Sequence, residues 1–280
     1  MQKSPPVLSI RERIAMKVGV FVNERPFPKS AQAAFHRAVG RVWIRECIKN
    51  LLHVEGLEAL RSLAPEKGVL LAANHRSFFD QYVISTLLLD RKIPWVRRIY
   101  FPVRANFFYD SFSGILVNLL IGGGAMYPPI YRDRSHASVN RDSLKVLARV
   151  LQTAGNVVGV HPEGTRGKGP DPYTLLPAQP GIGQIAVQSG TTIVPCWING
   201  LSNDIVGQIR SNFRKPEKRG APVILVFGPP VDISPFLGRK PGPAQYKRVS
   251  DHILSEIAKL GAREREWRRE ITAPGERLKR

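Results

Sequence analysis

Two cysteines in 280 residues, Cys47 and Cys196, are too few and too far apart for a disulfide framework or a thiolate-built metal site, and a reduced compartment is the simpler expectation. Long apolar runs are missing as well. Nowhere do about 18 uninterrupted apolar residues occur, so no spanning helix is expected. The start, Met1 to Pro6, leads into Ile10-Arg11-Glu12-Arg13, which interrupts any signal-peptide core. None of the six histidines belongs to an HExxH or closely spaced Cys/His pattern, so no metal is expected. Gly122-Gly123-Gly124 lacks the Lys-Ser/Thr continuation of a phosphate-binding Walker loop, and no dinucleotide fingerprint follows a strand, so no nucleotide cofactor is expected. Acidic residues are scarce too. Against 42 Lys and Arg stand 22 Asp and Glu, a formal charge of +20, which points to phosphate in nucleic acid, lipid or a small ligand without choosing among them.

What is present is α/β periodicity. Apolar positions at Ile10, Ile14, Val18 and Phe21 predict a helix, and after the Pro26-Phe27-Pro28 break Ala31 to Leu52 predicts a second. This pair is read either as packing against the body or as a basic hairpin meeting anionic headgroups. Val69 to Ala73, Asn156 to Val160, Thr192 to Pro195 and Val223 to Phe227 read as strands, and Trp95 to Val103 as a further strand approach. Helices are expected to Leu89, over Phe107 to Ile121, over Asn140 to Thr153, from Ile182, and from Gln245 toward Arg265. The mixed-sign run Arg263 to Arg269 is expected to be solvated. This order fits a three-layer α/β domain but leaves strand order open.

Chemistry concentrates at two strand ends. Directly after Val69 to Ala73 come Asn74-His75-Arg76-Ser77-Phe78-Phe79-Asp80, with an imidazole and a carboxylate five residues apart where open α/β folds place their sites. A neutral His75 can take a proton from an attacking hydroxyl while Asp80 orients its other ring nitrogen. The competing reading is a helix cap, since Ser77 and Asp80 have capping-box spacing. Directly after Val160 come His161-Pro162-Glu163-Gly164-Thr165-Arg166-Gly167. Arg166 is the strongest phosphate-binding candidate, and Gly164 and Gly167 permit a tightly curved backbone. Glu163 either keeps the Arg166 fork in place, binds a substrate hydroxyl, or forms a buried structural pair with it. Pro162 is a backbone constraint and His161 a packing residue. Arg132, after Tyr127-Pro128-Pro129-Ile130-Tyr131, either reaches phosphate from another side or is merely exposed, with Arg134 a lower-ranked substitute.

Taken together, Asn74-His75-(four residues)-Asp80, Arg132, Pro162-Glu163-Gly164-Thr165-Arg166 and Ile193-Val194-Pro195 resemble, in order and spacing, the glycerolipid acyltransferase family that includes the lysophosphatidic acid acyltransferases. The resemblance covers about Leu52 to Val231. It implies a single mixed-sheet three-layer α/β domain of that type over 51–262, with an N-terminal two-helix extension over 1–50 and a charged C-terminal tail over 263–280. It also implies that His75 and Asp80 are catalytic, that Arg132, Glu163, Gly164, Thr165 and Arg166 bind the acceptor, and that Asn74, Pro162 and Pro195 shape the site. The implied reaction moves a fatty acyl group from an acyl thioester, acyl-CoA or acyl-acyl-carrier-protein, to a lysophospholipid hydroxyl, without a cofactor. Backbone N–H groups of the histidine turn or the Gly164 loop are its candidate oxyanion donors. The implied partners are the lysophospholipid, the acyl thioester, an anionic membrane surface on the cytoplasmic side, reached peripherally or monotopically, and acyl carrier protein. Alternatives are an acyltransferase acting on a glycolipid or amino-acid lipid, a hydrolase, or a basic nucleic-acid-binding protein, although no nucleic-acid-binding motif is recognised. Two features depart from the family pattern: His161 stands where an aromatic or aliphatic residue is usual, and Pro128-Pro129 interrupts the second block.

Overall fold

The computed structural model describes residues 8–272 except Ile121 and Arg239; the side chains of Leu120 and Arg134 also lie outside the description, as do residues 273–280 of the expected tail. The strands are β1 (Leu52–Glu55), β2 (Val69–Ala73), β3 (Arg98–Arg104), β4 (Met126–Ile130), β5 (Asn156–Val160), β6 (Thr192–Asn199) and β7 (Val223–Phe227). They form one sheet in the order β1-β7-β6-β2-β5-β3-β4, in which β6 and β7 pair antiparallel and every other pair is parallel. β2, β5 and β7 are buried along their whole length, which is why they read as continuous apolar runs and not as alternation.

The helices are α1 (Ile10–Glu24), α2 (Pro26–Phe35), α3 (Arg41–Ile48), α4 (Leu57–Ser62), α5 (Asp80–Asp90), α6 (Ala105–Phe108), α7 (Phe112–Leu120), α8 (Ala137–Val150), α9 (Pro180–Ser189), α10 (Ile205–Asn212) and α11 (Pro243–Thr272). Two cores lie on opposite faces of the sheet, because successive side chains of a strand point to opposite sides. Val69, Leu71 and Ala73 of β2 join Ile44 of α3 and Tyr82, Ile84 and Leu88 of α5. Leu70 and Ala72 join Leu147 of α8, Ile182 and Ile185 of α9, and Val249, Ile253 and Ile257 of α11. The result is the three-layer mixed-sheet architecture expected from the sequence.

The N-terminal extension is a helical hairpin, but Pro26 begins its second arm instead of breaking it. Proline at the first helical position gives up an N–H that would be unpaired anyway. A five-residue π-helical stretch, His36–Gly40, then joins α2 to α3. Ser9 and Glu12 close a capping box at the start of α1. Lys29 of α2 is buried and ties the hairpin to β3 by donating to Ile99 O at 2.7 Å and to Asn23 Oδ1 at 2.9 Å, with its ammonium 3.4 Å from the Tyr100 ring centre. Burial and the nearby Arg98 lower its pKa.

The run expected to be solvated continues α11 and is so in part: Arg265, Glu266 and Arg269 are exposed, but Glu264 is not. Glu264 is fully buried, accepting from Arg268 and from the Tyr173 hydroxyl at 2.7 Å, and Arg263 pairs with Glu55 at 2.9 Å. Charges of both signs on this helix are satisfied by one another and by the body.

Candidate active site

β2 ends at Ala73, and the chain turns over Asn74 to Phe79 before α5 begins at Asp80. Asn74 is buried and clips the end of β6 from both sides, donating to Ile198 O at 2.9 Å and accepting from Ile198 N at 2.7 Å. Pro195 lies in β6 beside Ala72, with its carbonyl receiving Gly228 N at 3.0 Å. These contacts fix the platform from which the next residue projects.

His75 Nδ1 lies 3.1 Å from Asp80 Oδ2. The same oxygen accepts from Arg76 N at 2.6 Å and Ser77 N at 2.7 Å, so Asp80 holds the ring and ties down the turn before α5 together. Asp80 Oδ2 thus makes its own half of the expected capping box with Ser77 N, although the N-cap of α5 is Phe79, with no side-chain cap hydrogen bond. The capping box is only half formed, however, because Ser77 Oγ accepts from Phe79 N instead of from Asp80 N. Asp80 is 1% exposed and the His75 side chain 20%. Burial raises the carboxyl pKa to about 6, against the pull of His161 and the two backbone N–H groups. Burial, and then the charge of Arg166, lowers that of the imidazole to about 3. At neutral pH the ring is neutral and the carboxyl is ionised. This is the charge state in which Nδ1–H donates to Asp80 and Nε2 carries a free lone pair.

Three further contacts hold His75. Its backbone N–H donates to Glu163 Oε1 at 2.8 Å, and Leu176 N donates to Oε2 at 2.8 Å. This corrects the pairing expected for Glu163. Its carboxylate, 2% exposed, is taken up by two backbone N–H groups and joins the histidine turn to the loop between β5 and α9, while Arg166 bonds elsewhere. Gly167 N donates to His75 O at 2.9 Å. The His161 ring stacks on the His75 ring, with centres 3.8 Å apart and planes within 5°, and its Nδ1 lies 3.0 Å from Ala73 O. Burial also lowers the His161 pKa to about 3, so a neutral plate backs the base. Its Nε2 is buried without a hydrogen-bond partner.

Arg166 Nη1 donates to Asn203 Oδ1 at 2.9 Å, and its guanidinium sits 4.5 Å from the Phe78 ring centre. Asn203 Oδ1 also receives Phe78 N at 3.0 Å, so the loop after β6 holds the arginine and the histidine turn together. Sequence reasoning missed Asn203 because its partners lie 37 and 125 residues away. Beside Arg166 opens a groove of about 610 Å³ lined by Arg76, Lys168, Asn199, Ser202 and Asn203 among others. Gly164 adopts φ +64°, a left-handed turn that glycine enters freely, and Pro162 receives Gln179 N at 2.8 Å. Thr165 lies between them and Arg166 on the same loop. The N–H groups of Arg76, Ser77, Gly164 and Gly167 are all engaged, so none can receive an oxyanion without giving up a bond.

Arg132 is not brought to this groove. It is exposed on the loop after β4, three strands from β2 along the same sheet edge, a separation of about 14 Å at normal strand spacing. Among the described residues, no group of three or more His, Cys, Asp or Glu side chains is arranged to hold a metal ion.

A neutral imidazole thus lies against a buried carboxylate at the C-terminal edge of a mixed α/β sheet, next to a cationic groove. The model of the acyltransferase family matches residues 51–199, more than half of the chain, and the protein belongs to that family. It is therefore an acyl-transferring enzyme, and the resemblance read from its motifs holds at the level of the family. A similar solved structure is that of the 1-acyl-sn-glycerophosphate (LPA) acyltransferase PlsC from Thermotoga maritima, at 18% sequence identity over 91% of this chain and 97% of that one, with a TM-score of 0.47. No curated protein matches significantly.

Proposed function

We propose that the protein transfers a fatty acyl group from an acyl thioester to the free hydroxyl of a lysophospholipid, 1-acyl-glycerol-3-phosphate, giving phosphatidic acid. The observation that carries this reading is the His75–Asp80 pair at 3.1 Å next to a groove lined by guanidinium groups. His75 Nε2 takes the proton as the hydroxyl oxygen bonds to the thioester carbonyl carbon. The carbon–sulfur bond then breaks, and the departing thiolate receives that proton from the imidazolium. Arg166 anchors the acceptor's phosphate beside the base, which makes the attack effectively intramolecular. Glu163, Gly164, Thr165 and Pro162 form the loop that presents Arg166, and Asn74 and Pro195 hold the strand ends. Arg132 meets the headgroup only as an outlying cation on the same edge. The donor is acyl-CoA or acyl-acyl-carrier-protein, and no further cofactor takes part.

The acceptor is a lipid, and the molecule carries an apolar face suited to reach it. Ile14, Val18 and Phe21 of α1 and Phe112, Leu116 and Leu119 of α7 are exposed, and a groove of about 460 Å³ runs between the two helices. No helix among the described residues is long and apolar enough to cross a membrane. The protein works from the cytoplasmic side, with this face in the headgroup region and its basic side chains against anionic lipid.

The test is a panel of lysolipids of equal chain length with different headgroups, offered with one acyl thioester. The expected result is transfer to lysophosphatidate well above transfer to a glycolipid or an amino-acid lipid. Preference for a neutral headgroup defeats the assignment of the acceptor.

A further inference from the structure

We propose that Arg76 is the second phosphate-binding guanidinium of the groove, and that with Arg166 it selects a phosphomonoester headgroup over an uncharged one. This inference rests on the acceptor reading above. Arg76 directly follows the base in the chain, and its two ends do different work. Its backbone N–H is committed to Asp80, while its side chain runs across the groove and donates from Nη2 to Gly169 O at 2.6 Å.

The close approach is built into the backbone. A Cβ on Gly167 would lie 2.7 Å from Arg76 Nη1, so the guanidinium occupies space that any side chain at 167 would take. Gly167 is in turn fixed by its bond to the His75 carbonyl and adjoins Arg166. The Arg76 guanidinium thus lies against the glycine that follows Arg166, and the two arginines, from separate segments, line one groove.

Both are held by neutral acceptors, Gly169 O for Arg76 and Asn203 Oδ1 for Arg166. Among the described residues, neither forms an ion pair within 4.0 Å. The carboxylates that feel the field of Arg76 are Glu163, whose oxygens are taken by backbone N–H groups, and exposed Asp171. Neutral tethers aim a cation without cancelling its charge, and each guanidinium has five N–H donors to offer. A phosphomonoester, with a charge of about −1.5 to −2 at neutral pH, matches two such forks. An uncharged headgroup leaves both cations without a counter-charge in a partly desolvated groove, which is a discrimination against it. Exposed Lys168 adds a third positive charge at the rim.

The test measures steady-state transfer to lysophosphatidate and to 1-monoacylglycerol, which lacks the phosphate, by the wild type and by Arg76→Ala, Arg76→Lys and Arg166→Ala. Arg76→Ala is expected to raise KM for lysophosphatidate by about 10- to 100-fold, the size of a lost charge-assisted contact. Selectivity over monoacylglycerol should fall by a similar factor, and Arg76→Lys should restore part of it. Gly167→Ala, which pushes the guanidinium aside, should move selectivity in the same direction. If Arg76→Ala lowers use of both acceptors equally, the residue acts only through the Asp80 turn and the proposal is wrong. If Arg166→Ala shifts selectivity and Arg76→Ala does not, the proposal falls and the acceptor reading stands; if neither shifts it, both fall.

Discussion

Five residues spanning a strand end and a helix start leave little freedom, and His75 and Asp80 meet across that turn at 3.1 Å. The pairing of Glu163 with Arg166, one of the readings its sequence position offered, has no such constraint behind it. The partners of Glu163 are backbone N–H groups of His75 and Leu176, which carry no signature in a sequence, whereas the neighbouring Arg166 invited a pairing that does not form. His161 was read as a packing residue; it packs, but on the His75 ring itself.

The charge state of the pair makes a pH prediction. His75, lowered to about 3, is in its basic form throughout the working range, so the acid limb of the rate belongs to Asp80, raised to about 6. As pH falls through about 6 the carboxyl gains a proton and no longer accepts from Nδ1–H, so the productive tautomer is lost and kcat/KM declines. Asp80→Asn should lower turnover and remove that limb. An unchanged limb in the variant assigns the titration elsewhere.

At the scale of elements, the long buried strands and the amphipathic helices were readable, and the exceptions have local causes. β4, which was not among the strands expected, contains Pro128 and Pro129; it is the edge strand of the sheet, where missing donors are tolerated. α10 follows no long apolar pattern; Asp204 caps it, accepting from Gly207 N at 2.9 Å. α11 continues past its apolar positions because Glu264 and Arg268 are paired against the body.

α9 and α11 pack backbone to backbone. A Cβ on Gly183 would lie 1.9 Å from Tyr246 O, a backbone atom with no rotamer to escape into. Gly183→Ala must separate the helices and should cost about 1–3 kcal/mol, seen as a lower Tm. α9 and α11 cover the face of the sheet opposite α5, so turnover per folded molecule should change less than Tm. An unchanged Tm contradicts this packing.

For the whole molecule, the charge excess was plain from composition, but composition could not locate an apolar face. That face exists because α1 and α7, far apart in sequence, come to lie side by side, with Phe21 59% and Phe112 79% exposed. Replacing both phenylalanines with serine should weaken sedimentation with anionic vesicles by about tenfold or more, since burying each ring contributes on the order of 1 kcal/mol even when insertion is partial. Their exposure means that Tm should barely move. Full retention on vesicles places the docking face elsewhere.

The central claim is that His75 removes the proton from the attacking hydroxyl, and its most direct test is acyl transfer from a thioester to lysophosphatidate by a folded His75→Ala protein. A general base of this kind contributes about 10²- to 10⁴-fold. The account predicts a fall of that size with the wild-type circular dichroism spectrum and Tm preserved. Turnover at the wild-type rate by that variant would contradict it.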